Sequence, residues 1–185
     1  MNTTQYAQGI SSVNFSKWLW ATILFVAIGV FLTLLVGGGA IVLCLMTSLF
    51  TCWTQIVIIQ EAVPVQVSRW LLYLLFGSMV GWSISFLLIY LLDQPMETLI
   101  NSAFNTGHWG SLIWSAVWIG FFTGGSIGLF PGIFIGLAYW WLTRPDDNGK
   151  RLFLNNVIGW CVGMGLASVG MFMLLTIMLS NMTIF

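Results

Sequence analysis

His108 is the only histidine of the chain, and it lies in the polar segment DQPMETLINSAFNTGHWGS (93–111) together with Asp93 and Glu97. An imidazole and two carboxylates form a donor set that a metal ion can use, and an imidazole can also ligate a chlorophyll. Ligating side chains must be held at fixed geometry to make a site, and three in one polar loop read first as solvated groups. Gln55 is the second candidate ligand residue. Gln55 and Gln60 close one apolar segment, and Asn155 and Asn156 open another. Such amides can bond between helices, each bond being worth about 0.6 kcal/mol and at most about 2, or line a polar vestibule for a ligand. Packing is the simpler reading.

Other chemistry finds no footing. Cys44, Cys52 and Cys161 sit in apolar segments without C-x-x-C spacing, which argues against a zinc or disulfide framework. Gly37-Gly38-Gly39 is not followed by Lys-Ser/Thr, so it is not a phosphate-binding loop. Intramembrane catalysts and ion carriers rely on ionisable groups at mid-depth, and the apolar segments hold none. The residues give no catalytic set and no metal set, and require no cofactor.

The elements that must position these residues follow from composition. The chain has 185 residues, 59% hydrophobic and 5% charged, against about 25% charged in a soluble domain. Uncharged runs extend over 18–60, 70–92 and 98–143, and about 20 apolar residues suffice to cross a bilayer as a helix. The expected fold is all-α, a polytopic transmembrane bundle over 18–179 with a short C-terminal tail at 180–185. A net charge of zero offers no basic surface to nucleic acid. The start, MNTTQYAQGISSVNFSK (1–17), lacks the pattern of a signal peptide and is expected to be a retained polar tail or interfacial segment.

The first long run breaks at the three glycines into helices near 18–36 and 40–60. EAVPVQVSR is a loop, and a third span follows at 70–92. The segment 93–111 is expected as an extracytoplasmic loop. The run 112–142 can be one helix or two, and a last span lies near 152–179 after the turn-rich loop TRPDDNGKR, with its tip at Asn148-Gly149. Loops rich in Lys and Arg stay on the cytoplasmic side. With 112–142 as one span, Lys17, Arg69, Arg144, Lys150 and Arg151, every basic residue, share one side. Five spans with a cytoplasmic N-terminus are therefore expected, six being the alternative. Pro131 is expected to kink the fourth span. Trp18, Trp20, Trp70, Trp109, Trp114, Trp140 and Trp141 lie near span ends, as does Trp118, and read as interfacial anchors.

Gly120, Gly124, Gly128, Gly132 and Gly136 recur at every fourth position. Glycine costs roughly 1 kcal/mol against alanine in an aqueous helix, but in lipid it lets two backbones approach closely. A four-residue repeat drifts by about 40° per step on a 3.6-residue helix, so the row traces a slanted groove. Gly77, Gly81 and Ser85, Gly159, Gly163 and Ala167, and Gly29, Thr33 and Gly37 make similar rows. Glycine face packed on glycine face inside one bundle is the simplest expectation. Docking of a partner helix or a flat apolar ligand is the alternative.

Lys17-Trp18 precedes Gly29 by the interval at which Arg69-Trp70 precedes Gly81, and VGW (80–82) recurs as IGW (158–160). These echoes suggest a duplicated, diverged helical hairpin. GSMVGW (77–82), GIFIGLAYWWLTR (132–144) and NNVIGWCVGMG (155–165) resemble glycine- and tryptophan-rich multi-pass membrane proteins of cyanobacteria and other bacteria, which are uncharacterised. The chain departs from their pattern at Tyr139-Trp140, where a glutamine often stands, and in 93–111. The resemblance implies a membrane bundle in a bacterial plasma or thylakoid membrane and supplies no catalytic residues. The leading functional expectation is a non-catalytic accessory or assembly subunit, surrounded by membrane lipids and bound to a membrane-protein partner or to itself. A binder or carrier of a lipid, carotenoid or chlorophyll comes second, and an oligomeric pore or transporter third.

Overall fold

The computed structural model of the chain describes residues 13–36, 40–61, 66–104, 109–143 and 147–182. These form five helices and no strand: α1 (Phe15–Val36), α2 (Ala40–Gln60), α3 (Val67–Phe104), α4 (Trp109–Thr143) and α5 (Asp147–Met182). In hydrocarbon every backbone N–H and C=O must bond within the chain, and a helix achieves this locally. Hydroxyls follow the same rule. Thr22, Ser48, Thr51, Ser83, Ser126 and Thr143 each donate to the carbonyl four residues earlier, at 2.7–3.0 Å.

Four helices contain a stretch long and apolar enough to cross a membrane: Phe15–Leu32, Val67–Leu88, Val117–Thr143 and Gly149–Leu174. The apolar stretch of α2 among the described residues, Cys44–Gln60, is shorter. The run 112–142 is one helix, with Pro131 inside α4. Two loop expectations are corrected. Residues 93–104 continue α3 to Phe104, and Trp109 already opens α4. Polarity sets which medium a segment prefers, not its backbone, and a helix may project past the apolar layer. Likewise Asn148-Gly149 is no turn tip but lies in the first turn of α5. Residues 1–12 of the expected N-terminal tail, the glycine triplet 37–39 and His108 lie outside the described residues, while Phe15–Lys17 of that tail already belong to α1.

The helices close into a ring in which α1 touches α2 and α5, α3 touches α2 and α4, and α4 packs along α5. Odd-numbered helices run one way and even-numbered ones the other. Lys17 at the start of α1 grips Glu61 just past α2, Nζ to Oε1 2.7 Å and to Oε2 2.9 Å, which fixes the shared end of that hairpin. The pair is half exposed, so its worth is at most about 1 kcal/mol.

Glycines set the spacing, though not by meeting one another. Along α4, Gly120 meets Val169 and Phe172, Gly124 meets Met164 and Ser168, and Gly128 meets Trp160 and Met164. Gly132 meets Val157 and Trp160, and Gly136 meets Phe153, so the whole row lies against α5. Gly159 and Gly163 of α5 receive Thr22 and Val26 of α1, Gly77 and Gly81 receive the α4 backbone at Phe134 and Pro131, and Gly29 receives Thr47. The expected glycine-on-glycine packing is thus replaced by glycines that admit a larger residue or a backbone. A glycine that receives a larger residue or a backbone leaves no gap at the contact, and so forfeits no dispersion contacts there.

A β-carbon on Gly81 would stand 2.5 Å from the Pro131 Cα, a backbone atom that cannot turn aside. Gly125, in the same helix as the row, would place one 3.5 Å from the Cys161 carbonyl oxygen, an ordinary contact. Gly81→Ala is therefore expected to cost about 1–3 kcal/mol, the usual range for overpacking. Gly125→Ala should stay within about 0.5 kcal/mol, both read from unfolding in detergent.

Candidate functional site

The sequence fixes where a polar site can form: amides or hydroxyls at matching depth on facing helices. Gln55, near the end of α2, points into the ring and is fully buried. Its Nε2 donates to Thr22 Oγ1 of α1 at 2.7 Å and to Asn156 Oδ1 of α5 at 2.8 Å. Its Oε1 accepts from the Tyr139 hydroxyl of α4 at 2.9 Å. Asn156 Nδ2 donates in turn to the Gly132 carbonyl of α4 at 3.1 Å, and the Thr22 hydroxyl donates to the Trp18 carbonyl at 2.9 Å. Four helices meet in this hub. Gly132 serves it twice, because lacking a side chain it admits Val157 and Trp160 of α5 and leaves its carbonyl within reach of Asn156.

The fifth helix joins one layer deeper. Trp82 Nε1 of α3 donates to Ser48 Oγ of α2 at 2.8 Å, and Ser85 Oγ donates to the Ile127 carbonyl of α4 at 2.8 Å. Aromatic rings fill the remaining axis. Trp18 and Trp70 both lie edge-on to Tyr139, with centroids at 4.8 and 5.9 Å, and Trp82 lies edge-on to Trp160 at 5.9 Å. The two residues of each sequence echo thus converge, Trp18 with Trp70 on one tyrosine and Trp82 with Trp160 on each other. Among the described residues the indole nitrogens of Trp18 and Trp160 are the buried side-chain polar atoms without a hydrogen-bond partner. Both indoles sit in T-shaped contacts, in which a positive ring edge meets a π face.

Several expectations meet the structure here. Gln55 and Asn156 are brought together, whereas Gln60 faces outward and Asn155 is half-buried. Trp18 and Trp70 are not lipid-facing anchors, being 0% and 5% exposed. Trp18 and Trp20 are two residues apart, about 200° around a helix, so one had to turn inward. Trp20, Trp114, Trp140 and Trp141 do face outward, while the side chain of Trp109 lies outside the described set. So do those of Asp93 and Glu97, and His108 altogether. Among the described residues no three His, Cys, Asp or Glu side chains gather as metal ligands. Cys44, Cys52 and Cys161 are free thiols. The groove of Gly120 to Gly136, considered for a partner helix or flat ligand, is filled by α5.

Sequence reasoning missed Thr22, Tyr139 and the Trp82–Ser48 pair. The signal was present, since each is a polar group inside an apolar run, where lipid offers it no partner.

Long apolar helices closed around a buried polar hub define a helical membrane protein. Comparison of the chain with protein-family models, curated proteins and solved structures finds no match to any of them.

Gln55→Leu strands the Tyr139 hydroxyl, and Tyr139→Phe strands the Gln55 carbonyl oxygen. Each single change is expected to destabilise by about 1–3 kcal/mol, the cost of an unpaired buried group. The double variant should fall short of the sum by about 0.6–1.7 kcal/mol. Strict additivity in detergent unfolding would mean that the bond carries no energy.

Proposed function

We propose that this chain is a non-catalytic integral membrane protein with five spans and a cytoplasmic N-terminus, acting as an accessory or assembly subunit of a larger membrane complex. The observation that carries the reading is the Gln55 hub: its amide, the Asn156 amide, the Tyr139 hydroxyl and the Thr22 hydroxyl are engaged with one another and with backbone. Polar groups committed to joining helices serve assembly of the bundle. Support for the fifth span comes from α2, which fills the ring between α1 and α3 and reaches the same depth as its neighbours. Support for the orientation comes from charge. Lys17, Arg69, Lys150 and Arg151 lie at the end where α1, α3 and α5 begin, and basic residues mark the cytoplasmic side. A bacterial plasma or thylakoid membrane is the setting we favour, on the resemblance of its glycine–tryptophan helices.

A second reading has one observation behind it. On the outer face of α4, Trp118 stacks on Phe122 with centroids 5.6 Å apart, and Trp114 is exposed one turn earlier. Such a flat aromatic ladder would suit an apolar ligand: a lipid, a carotenoid or a chlorophyll.

Gentle purification from the native membrane separates the readings. Co-migrating subunits identified by mass spectrometry are expected if the chain is an accessory component, and pigment absorption in the band would favour the ligand reading. A colourless band holding this chain alone would overturn both the subunit and the pigment proposals. For the orientation, a cysteine at Asn148 is expected to stay shielded from an impermeant thiol reagent in intact cells. Labelling there would reverse it.

A further inference from the structure

The end of the bundle where α1, α3 and α5 begin carries two arginines that differ from their lysine neighbour Lys17. Lys17 is neutralised by Glu61 through two short contacts. Arg69 and Arg151 are exposed, and neither shares Glu61, the one carboxylate whose side chain is described, which is taken by Lys17. Each is instead held above an aromatic ring: Arg69 over Tyr73 of its own helix and Arg151 over Phe15 of α1, both at 6.0 Å. A ring beneath a guanidinium steadies it while leaving its planar fork of donors free, and that fork matches a phosphate.

What lies below each arginine selects the kind of anion. Three and seven residues after Arg69 stand Leu72 and Phe76, and at the same intervals after Arg151 stand Leu154 and Ile158, all four exposed and apolar. Residues at those intervals share a helix face. They lie about 5–10 Å further along the axis. Each site is a phosphate-matching cation followed along one face by bare hydrocarbon, the profile of a phospholipid read from headgroup to acyl chain. A soluble anion would leave the apolar strip uncovered, and an acidic protein would have to bury it against polar surface.

We propose that Arg69 with Tyr73, and Arg151 with Phe15, are two binding sites for the headgroups of anionic phospholipids, with the acyl chains lying along Leu72–Phe76 and Leu154–Ile158. The inference rests on the membrane reading above and on this end standing at headgroup level.

The test uses the full chain in detergent, supplied with phosphatidylglycerol and phosphatidylcholine in equal amounts, and counts retained lipids by native mass spectrometry. Wild type should retain phosphatidylglycerol in preference. Arg69→Gln and Arg151→Gln should each lower that preference about fivefold, the size of one basic residue's attraction to an anionic surface. Arg69→Lys and Arg151→Lys keep the charge without the fork and should fall between. Both positions are exposed, so an unchanged unfolding temperature will show that the variants fold. No preference in wild type, or an equal preference in the glutamine variants, overturns the proposal while leaving the membrane reading intact. A chain that fails to partition into membranes at all removes both.

Discussion

A polar group inside hydrocarbon has no water to turn to, and the hub around Gln55 is this chain's answer to that constraint. One amide joins α2 to α1, α5 and α4, and Asn156 closes the circuit onto the Gly132 carbonyl. The energy of each bond is small, about 0.6 kcal/mol on average in membrane bundles, so the hub does not hold the bundle together by strength. What it supplies is register. Sliding any of the four helices by one turn would move a donor or acceptor about 5.4 Å along its axis, beyond hydrogen-bond reach, and leave several groups unpaired together. Packing resists the same slide, because Thr47, Thr22 and Val26 would leave the glycines that receive them. The hub adds to this the cost of several polar groups left unpaired at once.

Glycine placement follows from the same demand. For Gln55 to reach three helices with ordinary bond lengths, the backbones around it must come close. Gly159 receives Thr22, a hub member, while Gly132 lies between Val157 and Trp160 next to Asn156 and offers its own carbonyl. The glycine rows and the polar residues are therefore parts of one arrangement, distance being set by the first and register by the second. This also explains why the rows do not face each other. A glycine opposite a threonine, a valine or a tryptophan brings a helix close and fills the gap in one step.

The sequence makes the number of helices legible, because lipid imposes a minimum length and the charges mark where an apolar run must stop, but α3 and α5 extend well past the expected 70–92 and 152–179. It also brings four amides, Gln55, Gln60, Asn155 and Asn156, to one side, of which the structure joins Gln55 and Asn156. Facing is harder to read. An amphipathic stripe tells which side of a soluble helix is buried, but a helix apolar all round carries no such mark, so nothing in the sequence separates the buried Trp18 and Trp70 from the exposed tryptophans. The roughly 200° between Trp18 and Trp20 requires that one turn inward, though not which of the two. Segment 93–104 misled for another reason. Its polarity marks a change of medium, and the backbone carried its helix through that change to Phe104.

With the glycine faces closed internally, what the molecule offers outward is bulky: Trp20, Trp53, Phe76, Trp114, Trp118, Phe122 and Trp141 are all exposed. Lipid chains or a neighbouring protein must meet ridges there, not a groove. The two ends differ as well. The described basic residues Lys17, Arg69, Lys150 and Arg151 gather at the end where α1, α3 and α5 begin, whereas Asp93 and Glu97 belong to the far half of α3. On the orientation proposed above, the charge of the ends and the exposed tryptophans act together to set how the molecule stands in the bilayer. A partner in the membrane plane, as the proposed subunit role requires, would meet those outer ridges. The interior is devoted to closure of the ring, and the exposed aromatic ridges are the surface left to meet lipid or protein.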